Sequence, residues 1–542
     1  MPIRIRRDKN MPKDERGGNR RPTRPSKNGG NKGQFPGGGK GGIIAAVIGL
    51  LIKKPKLLMG VLAIGLVLYV LTGGFEGCQD GGNDGGNNPI VVDPGTDTNS
   101  HYDISRGAEL DQEVYDQATV YEPLADNIKN PMPETASLMK YAPTRLSQGS
   151  QGSCVGWASS YAARTIMHAR ETGKNPDQVR FSPSFLYNQI ALSGCQGAYI
   201  FKAMENLKTV GDVPLTDFGY DVKNCTKSPS RNHFQTAKNF RIPGYNRLTK
   251  GGENYKTDLL GIKQHISHGA PVVIGMMVGG TFMSNMRGKD KWLPTNNDRS
   301  KKGFGGHAMC VIGYDDYKFG SNMGGFQIMN SWGMDWGNKG VFWMSYDDFG
   351  YFTEEAYGMF PMGDANSPKT NQLAASFALV QNSSGRRIDV SHAHDRTYKT
   401  NSPLKVGEQF KIEVANTLPC YTYIVGLETD NSSYILFPYT KKHSPYCGIT
   451  GSRLFPRDYS YEADNIGSMD QMAIVVSKDP LDYNRLISSI NSKSGSFDDR
   501  IQQALGGAMN HNTQYSGRGQ IDLNADASGG TATYAVLEIE KR

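Results

Sequence analysis

A cysteine stands between a run of small residues and an amphipathic segment. The run Gln148-Gly-Ser-Gln-Gly-Ser leads directly to Cys154, and the chain after it carries apolar side chains at helical spacing, at Val155, Ala158, Ala162 and Ile166. This pattern places Cys154 at the N-terminus of a helix that extends to about residue 170. Unpaired N–H groups and the positive end of the helix dipole favour an anion there, so the position stabilises a thiolate.

A thiolate nucleophile also needs a proton carrier and a group that orients this carrier. His307 lies in Gly-Gly-His-Ala-Met-Cys-Val-Ile-Gly-Tyr, and Asn330 heads Asn-Ser-Trp-Gly-Met-Asp-Trp-Gly-Asn-Lys-Gly. His307 follows Cys154 by 153 residues. Taken singly, each motif is weak: Cys154 fits a buried apolar position, His307 a core position and Asn330 a turn. The three in this order, at compatible spacing, indicate a catalytic set.

These stretches resemble the papain-like cysteine peptidases over about residues 131–363. The resemblance implies an α+β catalytic domain in which a helical half with Cys154 faces a β-barrel-like half with His307 and Asn330, with the substrate cleft between them. It implies a cysteine endopeptidase that hydrolyses peptide bonds through a thiolate and an acyl-enzyme. Protein or peptide is the expected substrate, and neither a metal nor another cofactor is expected.

The resemblance also assigns roles to residues around the cleft. Gln148 corresponds to the glutamine whose side-chain amide donates to the oxyanion hole, where fixed donors stabilise the developing charge. Trp332 corresponds to the tryptophan that shields the His–Asn hydrogen bond from water. Gly197 and Ala198 correspond to the edge that pairs with an extended substrate. Gln151 stands where the family usually has a cysteine, which leaves substrate preference open.

Seven cysteines are present, and an odd number fits one free reactive thiol plus pairs. The resemblance implies a disulfide between Cys195 and Cys225. Cys420 and Cys447 are a second candidate pair.

The N-terminal region has the composition of a basic tail followed by a membrane segment. Residues 1–42 hold twelve Lys/Arg and three Asp/Glu, and we expect them to be disordered and cytoplasmic. Within the apolar region 43–75, residues 57–75 carry no charge and are long enough to span a bilayer as a single transmembrane helix. The basic bias predicts a cytoplasmic N-terminus and an extracytoplasmic catalytic domain, periplasmic or at the cell surface. A signal peptide, a lipidated Cys78 and a buried soluble helix are the alternatives.

Residues 76–130 form a predicted extracytoplasmic linker, with a flexible Gly/Asn-rich tether at its start. Residues 101–130 are too few to resemble the long inhibitory propeptide of secreted family members, so we expect a peptidase without its own prodomain. Outside residues 1–42 the charges nearly balance, at 48 Lys/Arg and 49 Asp/Glu. This balance argues against a body that binds nucleic acid.

Residues 373–542 alternate apolar and polar residues in short runs separated by Gly, Asn and Pro, which predicts an all-β, sandwich-like domain. Strands are expected at 374–380, 409–415, 421–427, 433–438, 471–477 and 533–540, with partial helix over 482–505. The region resembles a bacterial domain of unknown function that is fused to peptidases. It carries no catalytic set, and binding of an unknown protein is the default expectation.

Two other classes of function fit parts of the pattern. A catalytically silent papain-like module would bind peptide or cell-wall material, but such modules usually lose one catalytic residue. A transglutaminase-like enzyme usually has Asp at the position of Asn330. His265 and His268 share a helix face, but no carboxylate or Cys completes a metal site, so we expect them on the solvated surface.

Overall fold

The computed structural model describes residues 4–7, 105–249, 256–362 and 371–542. Two large hydrophobic cores divide this part of the chain. One is built almost entirely from residues before 363, and the other from residues after 371. We call residues 105–362 the first domain and residues 371–542 the second domain. Strand β1 (Arg4–Arg7) belongs to a sheet of the second domain.

The first domain contains a set of helices that pack on both faces of a sheet. They are α1 (Gln112–Tyr115), α2 (Cys154–Gly156), α3 (Thr165–Thr172), α4 (Pro183–Ile190), α5 (Ile200–Thr209), α6 (Arg231–Ala237), α7 (Leu259–Ser267), α8 (Gly280–Ser284), α9 (Asn296–Arg299) and α10 (Tyr346–Phe352). A π-helical stretch, Trp157–Arg164, joins α2 to α3 into one continuous helix. Short 3-10 turns occupy Met139–Tyr141, Pro176–Gln178, Ser193–Cys195 and Lys238–Phe240.

The sheet of the first domain is antiparallel throughout. Its strands are β2 (Thr135–Ser137), β3 (Tyr245–Arg247), β4 (Val272–Val278), β5 (Gly305–Asp315), β6 (Gly325–Met329), β7 (Val341–Ser345) and β8 (Thr353–Met359). The order is β3-β8-β4-β5-β6-β7, with β2 paired to β5. In the central pair, Met276 of β4 lies opposite His307 of β5. The long helix packs on this sheet, and the apolar positions that predicted it, Val155, Ala158, Ala162 and Ile166, all belong to the core of the domain.

The second domain contains two facing sheets. The strands are β9 (Gln372–Gln381), β10 (Arg387–Ile388), β11 (Val390–His394), β12 (Thr397–Thr400), β13 (Gln409–Asn416), β14 (Cys420–Leu427), β15 (Ser433–Phe437), β16 (Tyr446–Cys447), β17 (Gly451–Phe455), β18 (Tyr459–Glu462), β19 (Met469–Ser477), β20 (Gln514–Ser516), β21 (Ile521–Asp526) and β22 (Ala532–Glu540). One sheet has the order β1-β18-β13-β9-β21-β20, with β10 and β17 at its side. The other has the order β11-β12-β22-β19-β14-β15, with β16 beside β14.

Successive side chains of β19 point to opposite faces of its sheet, so apolar residues of this strand pack on both faces. Ile474 points into the core between the sheets, and Val475 points away from it. Helices α11 (Tyr483–Ser492) and α12 (Phe497–Leu505) cover the outer face around Val475. Two more 3-10 turns lie at Gly506–Ala508 and Ala527–Gly529. The prediction of an α+β domain followed by a β-rich region is confirmed.

The N-terminal predictions have different outcomes. Among the residues that the structure describes, no helix has the length and apolar character needed to cross a membrane. The predicted span 57–75 and Cys78 lie outside those residues. Arg4–Arg7 form strand β1, which pairs with β18, and Arg6 contacts Glu462 at 2.5 Å. Over these four residues the structure differs from the predicted disordered tail. A single membrane crossing would put Arg6 and Glu462 on opposite sides, so this pairing within one chain and the predicted topology exclude each other.

Candidate active site

Cys154 begins the long helix, as its sequence context predicts. Ser153 occupies the N-cap position, and the helix continues from Cys154 through Thr172. The thiol is fully buried, and the Ala308 N–H donates to its Sγ at 3.4 Å. Since Ala308 follows His307 directly in β5, this contact brings the cysteine and the histidine side by side. Burial raises the pKa of Cys154 to about 12, although backbone N–H groups around the sulfur, that of Gly107 included, act in the opposite direction.

His307 is oriented by Asn330, which lies just after β6. Nε2 of His307 and Oδ1 of Asn330 are 2.8 Å apart, and the Ser331 N–H also donates to this Oδ1 at 2.8 Å. An atom that accepts from a backbone N–H is the amide oxygen, so Nε2 carries the proton. Nδ1 makes no hydrogen bond within the described structure and is therefore the nitrogen that can accept a proton. Burial lowers the pKa of His307 to about 4, the Asn330 hydrogen bond raises it, and Arg106 lowers it further.

Trp332 stacks on the imidazole of His307, with ring centroids 4.4 Å apart and 25° between the planes. Gln148 is fully buried beside them. Its Oε1 accepts from the Ser331 hydroxyl at 2.6 Å, and its Nε2 donates to the Gln151 carbonyl at 2.9 Å. The structure thus brings Gln148 and the segment after Asn330 together, although 182 residues separate them in the sequence.

Ala198, which belongs to the expected substrate edge, already pairs with another segment of this chain. Residues 105–110, which we call the strap, run through the cleft between the two halves of the first domain. The Ala198 N–H donates to the Gly107 carbonyl at 2.9 Å, and the Glu109 N–H donates to the Ala198 carbonyl at 3.1 Å. On the opposite wall, the N–H groups of Gly107 and Ala108 donate to the Gly306 carbonyl at 3.3 and 3.2 Å. The chain therefore places its own backbone where the substrate backbone was expected.

Glycine is required where the strap passes the helix. A Cβ on Gly107 would lie 2.1 Å from the Gly152 carbonyl oxygen, so no larger residue fits. A Cβ on Gly197 would lie 2.6 Å from the Gly107 carbonyl oxygen, and the φ of Gly197 is +138°. These close approaches seal the thiol below the strap.

Side chains fix both ends of the strap. The Trp332 indole N–H donates to the Ser105 carbonyl at 3.0 Å, and Arg106 donates to the carbonyls of Val278 and Gly303 at 3.1 Å each. At the other end, Leu110 lies against the floor of the cleft, where a Cβ on Gly275 would be 2.6 Å from its Cδ2.

The expectation of a peptidase without its own prodomain did not foresee a segment of the chain that covers the cleft. It rested on the length of the region before the catalytic domain. Six extended residues are enough to cover a cleft, because backbone pairing needs no folded domain of its own. The conspicuous signal in the sequence was the small pair Gly107-Ala108, which carries no periodic pattern.

Other site expectations have mixed outcomes. The Cys195–Cys225 disulfide is formed, with Cα atoms 5.9 Å apart. Cys420 and Cys447 are direct partners across β14 and β16, yet both are free thiols, so the suspected second disulfide is absent. Instead, the Cys447 sulfur lies 3.5 Å from the Thr422 hydroxyl.

His265 is buried, so its predicted place on the surface is wrong, whereas His268 is half-buried. The His265 ring lies over Gly358, where a Cβ would come within 2.5 Å of it, and Nδ1 lies 2.8 Å from the Gly261 carbonyl oxygen. In the part of the chain that the structure describes, no group of three or more His, Cys, Asp or Glu residues is arranged to hold a metal ion.

Residues 139–359 match the family described as papain family cysteine protease. This segment belongs to the papain family of cysteine proteases. We therefore call the first domain the protease domain. The matched range spans Cys154, His307 and Asn330 and stops short of the second domain.

Two curated relatives show the extent of the similarity. The protease domain is similar to an uncharacterized peptidase C1-like protein of Acanthamoeba polyphaga mimivirus, at 29% identity over 215 residues, which cover 38% of this chain and 64% of the relative. It is also similar to cathepsin K of Mus musculus, at 28% identity over 231 residues, which cover 42% of this chain and 63% of the relative. The chain thus spans slightly less than two thirds of the length of each.

Among solved structures, xylellain, a cysteine protease from Xylella fastidiosa, is 22% identical to this chain. The alignment covers 49% of this chain and 98% of xylellain, with a TM-score of 0.38.

Proposed function

We propose that this chain is a cysteine endopeptidase in which Cys154 attacks a peptide carbonyl while His307 carries the proton. The observation that supports this most directly is the hydrogen-bonded chain from Ser331 through Asn330 to Nε2 of His307, next to the buried thiol. With Nε2 held by Asn330, Nδ1 takes the thiol proton. The thiolate then attacks the carbonyl carbon, and the resulting tetrahedral oxyanion needs fixed donors.

The backbone N–H of Cys154, at the start of the helix, and the Gln148 side-chain amide are the proposed oxyanion donors. In the closed cleft this amide donates to the Gln151 carbonyl instead. Collapse of the oxyanion expels the amine, which takes the proton from His307, and leaves an acyl-enzyme on Cys154. Water, deprotonated by His307, then attacks the acyl-enzyme and releases the acid.

The occupied cleft suggests what a substrate would place there. Leu110 of the strap fills a pocket beside Ile200 and Gly275, with Glu355 at its edge. Burial raises the pKa of Glu355 to about 8, while the Tyr357 hydroxyl, which donates to it at 3.1 Å, lowers it. We therefore expect an extended peptide with an apolar side chain in this pocket.

The silent papain-like module is the second candidate, and it is not favoured, because Cys154, His307, Asn330 and Gln148 are all present. The test is hydrolysis of an unfolded protein substrate by the purified full chain, with the Cys154→Ala variant as control. We expect the variant to lose turnover and keep its thermal midpoint. Proteolysis that persists in the variant would contradict the assignment.

Anchoring through residues 57–75 also remains a proposal. It rests on the uncharged 19-residue run and on the basic tail before it. Reporter tags at the N-terminus and the C-terminus of the membrane-inserted protein would test the topology. Tags on opposite sides would support a single crossing with the protease domain outside the cytoplasm. Tags on the same side would contradict it and agree with the pairing of β1 and β18.

A further inference from the structure

The chain after the strap is held between the two domains. Residues 119–130, which we call the interdomain segment, begin with an extended stretch that is bonded on both edges. On one edge the Val120 N–H donates to the Lys442 carbonyl at 2.5 Å, and the Val120 carbonyl accepts from the Ser444 N–H at 2.9 Å. On the other edge the Arg247 backbone bonds to the Thr119 carbonyl at 2.9 Å and to the Tyr121 N–H at 3.1 Å. Lys442 and Ser444 belong to the second domain, and Arg247 belongs to the protease domain.

The second domain also forms hydrogen bonds with the rest of the interdomain segment. The Ala125 N–H donates to the Ser452 carbonyl at 2.8 Å, and the Asn130 side chain bonds to both backbone groups of Ser452 at 2.8 Å. Arg453, which is fully buried, donates to the Glu122 carbonyl at 3.0 Å. From the protease side, Gln264 bonds to both backbone groups of Leu124 at 3.0 Å. Neither domain alone makes all of these bonds.

Ion pairs hold the chain between the strap and the interdomain segment. Asp116, six residues after Leu110, pairs with Arg247 of the protease domain and with Lys442 of the second domain, the latter at 3.1 Å. Helix α1 lies between the strap and Asp116. The Tyr115 hydroxyl of this helix donates to the Ala356 carbonyl at 3.2 Å. The ion pair between Asp116 and Lys442 of the second domain is therefore only six residues along the chain from Leu110, the end of the strap.

The two domains also pack directly around the segment. Arg457 pairs with the buried Asp258 at 2.7 Å. Phe360 stacks on Tyr446 with ring centroids 4.1 Å apart, and Ile449 is part of the core of the protease domain. The second domain is thus fixed in position relative to the cleft.

We propose that the second domain is an inhibitory clamp, which holds the interdomain segment against the protease domain and thereby keeps the strap across Cys154. The proposal rests on the proposed peptidase function, because a clamp has meaning only if the cleft acts on substrates. Strap and substrate compete for the same backbone groups of Ala198 and Gly306. A tethered competitor acts at an effective concentration that rises as its tether becomes shorter and more ordered. While the second domain holds the interdomain segment, the part of the linker that is free to act as a tether is reduced from the whole linker to the residues around α1.

Activation follows from the same geometry. Loosening the second domain would lengthen the tether, and a cut between the strap and the interdomain segment would remove it. In either case the strap would exchange with peptide substrates, and Cys154 would become accessible. A partner that binds the second domain near Lys442 or Ser452 would have the same effect.

The first test uses charge reversal in the full chain. K442E places a carboxylate opposite Asp116, and K441E makes the same change at the exposed neighbouring position. We expect K442E to raise peptide hydrolysis by about two- to fivefold, because exposed ion pairs contribute modestly. Hydrogen exchange at the Gly107, Ala108 and Glu109 amides should speed up in parallel. K441E should match the wild type in both measurements.

A second variant removes hydrogen bonds and leaves charge unchanged. N130A deletes the bonds to Ser452 and the bond to the Ala125 carbonyl, and we expect about tenfold faster hydrolysis. N127A is the matched control, since its side chain accepts only from the nearby Lys129 N–H among the bonds described. Thermal midpoints verify that the variants are folded. Because Lys442 is exposed, K442E still provides the test if N130A unfolds.

The outcomes separate the clamp from the peptidase. Faster hydrolysis and exchange in K442E and N130A, with unchanged controls, would support the clamp. If both variants behave like the wild type while G107A, which disturbs the strap itself, hydrolyses peptides, the clamp is wrong and the peptidase function stands. If G107A neither hydrolyses peptides nor reacts through Cys154, the proposed function fails, and the clamp fails with it.

Discussion

The Gly107 amide nitrogen donates to the Gly306 carbonyl oxygen at 3.3 Å, one residue before His307. Gly107 is separated from Gly306 by nearly 200 residues in the sequence. Even so, Gly107 lies above the thiol of Cys154 and bonds to a backbone carbonyl in the wall of the cleft. The strap therefore covers the cleft in which Cys154, His307 and Asn330 lie together.

Adding a methyl group to Gly107 should uncover the cleft. In G107A the new Cβ would lie 2.1 Å from the Gly152 carbonyl oxygen, which is backbone and cannot move aside cheaply. We expect hydrolysis of a fluorogenic peptide to rise by at least about tenfold, the effect of losing roughly 1.4 kcal/mol of strap binding. The matched control is G350A, where a Cβ meets open space. Equal rates in wild type and G107A would show that the strap does not limit access.

Replacing Gln148 should slow catalysis without opening the cleft. Q148A in the G107A background removes the proposed side-chain oxyanion donor, and loss of one such donor lowers kcat by about 10²–10³. Q151A is the matched control, because its side chain bonds to the carbonyls of Asp221 and Val222, and its own carbonyl is retained. A loss below about tenfold in Q148A would remove Gln148 from that role.

Acidification should loosen the strap through His307. Its folded pKa of about 4 lies below the ordinary value of 6.5, so the neutral ring contributes stability to the closed cleft above about pH 6.5. That contribution declines as the pH falls toward 4, because an imidazolium would be buried beside Arg106. Protection factors for exchange at the strap amides, corrected for intrinsic rates, should drop over this range. H307Q, which cannot gain a proton, should lose the dependence, and an unchanged slope in H307Q would assign it to another group.

The pocket under Leu110 should set substrate preference. In G275V the added side chain would enter the space that Leu110 Cδ2 occupies, beside Ile200 and Glu355. In the G107A background we expect kcat/KM for peptides with a leucine-sized side chain at this position to fall by about tenfold or more, and for alanine peptides to change little. Profiling a peptide library with both proteins would measure this. An identical preference would place the specificity pocket elsewhere.

The sequence predicted those parts of the site that follow from local pattern. The helix after Cys154 was predicted from its apolar spacing, and the strands of the second domain from alternation. Each of these patterns reports which face of an element is buried. The disulfide Cys195–Cys225 came from family resemblance.

Features that depend on distant contacts were not predictable in this way. The strap, Ser105 to Leu110, binds mainly through its backbone, which leaves little trace in side-chain pattern. His265 is buried because Gly358 on a neighbouring strand leaves room for its ring, a relationship between residues nearly a hundred positions apart. The pairing of Arg4–Arg7 with β18 joins residues more than 450 positions apart and has no local signal.

Labelling of Cys154 by an epoxide that alkylates active thiols is the sharpest test of a covered catalytic site. In the wild type, where burial raises the pKa of Cys154 to about 12, we expect slow labelling that keeps rising from about pH 7 to about pH 10. G107A should label much faster at neutral pH, and G107A/H307A should label slowly again, with peptide mapping locating the adduct on Cys154. Slow labelling of G107A, or equal rates with and without His307, would contradict a strapped but fully assembled cysteine peptidase.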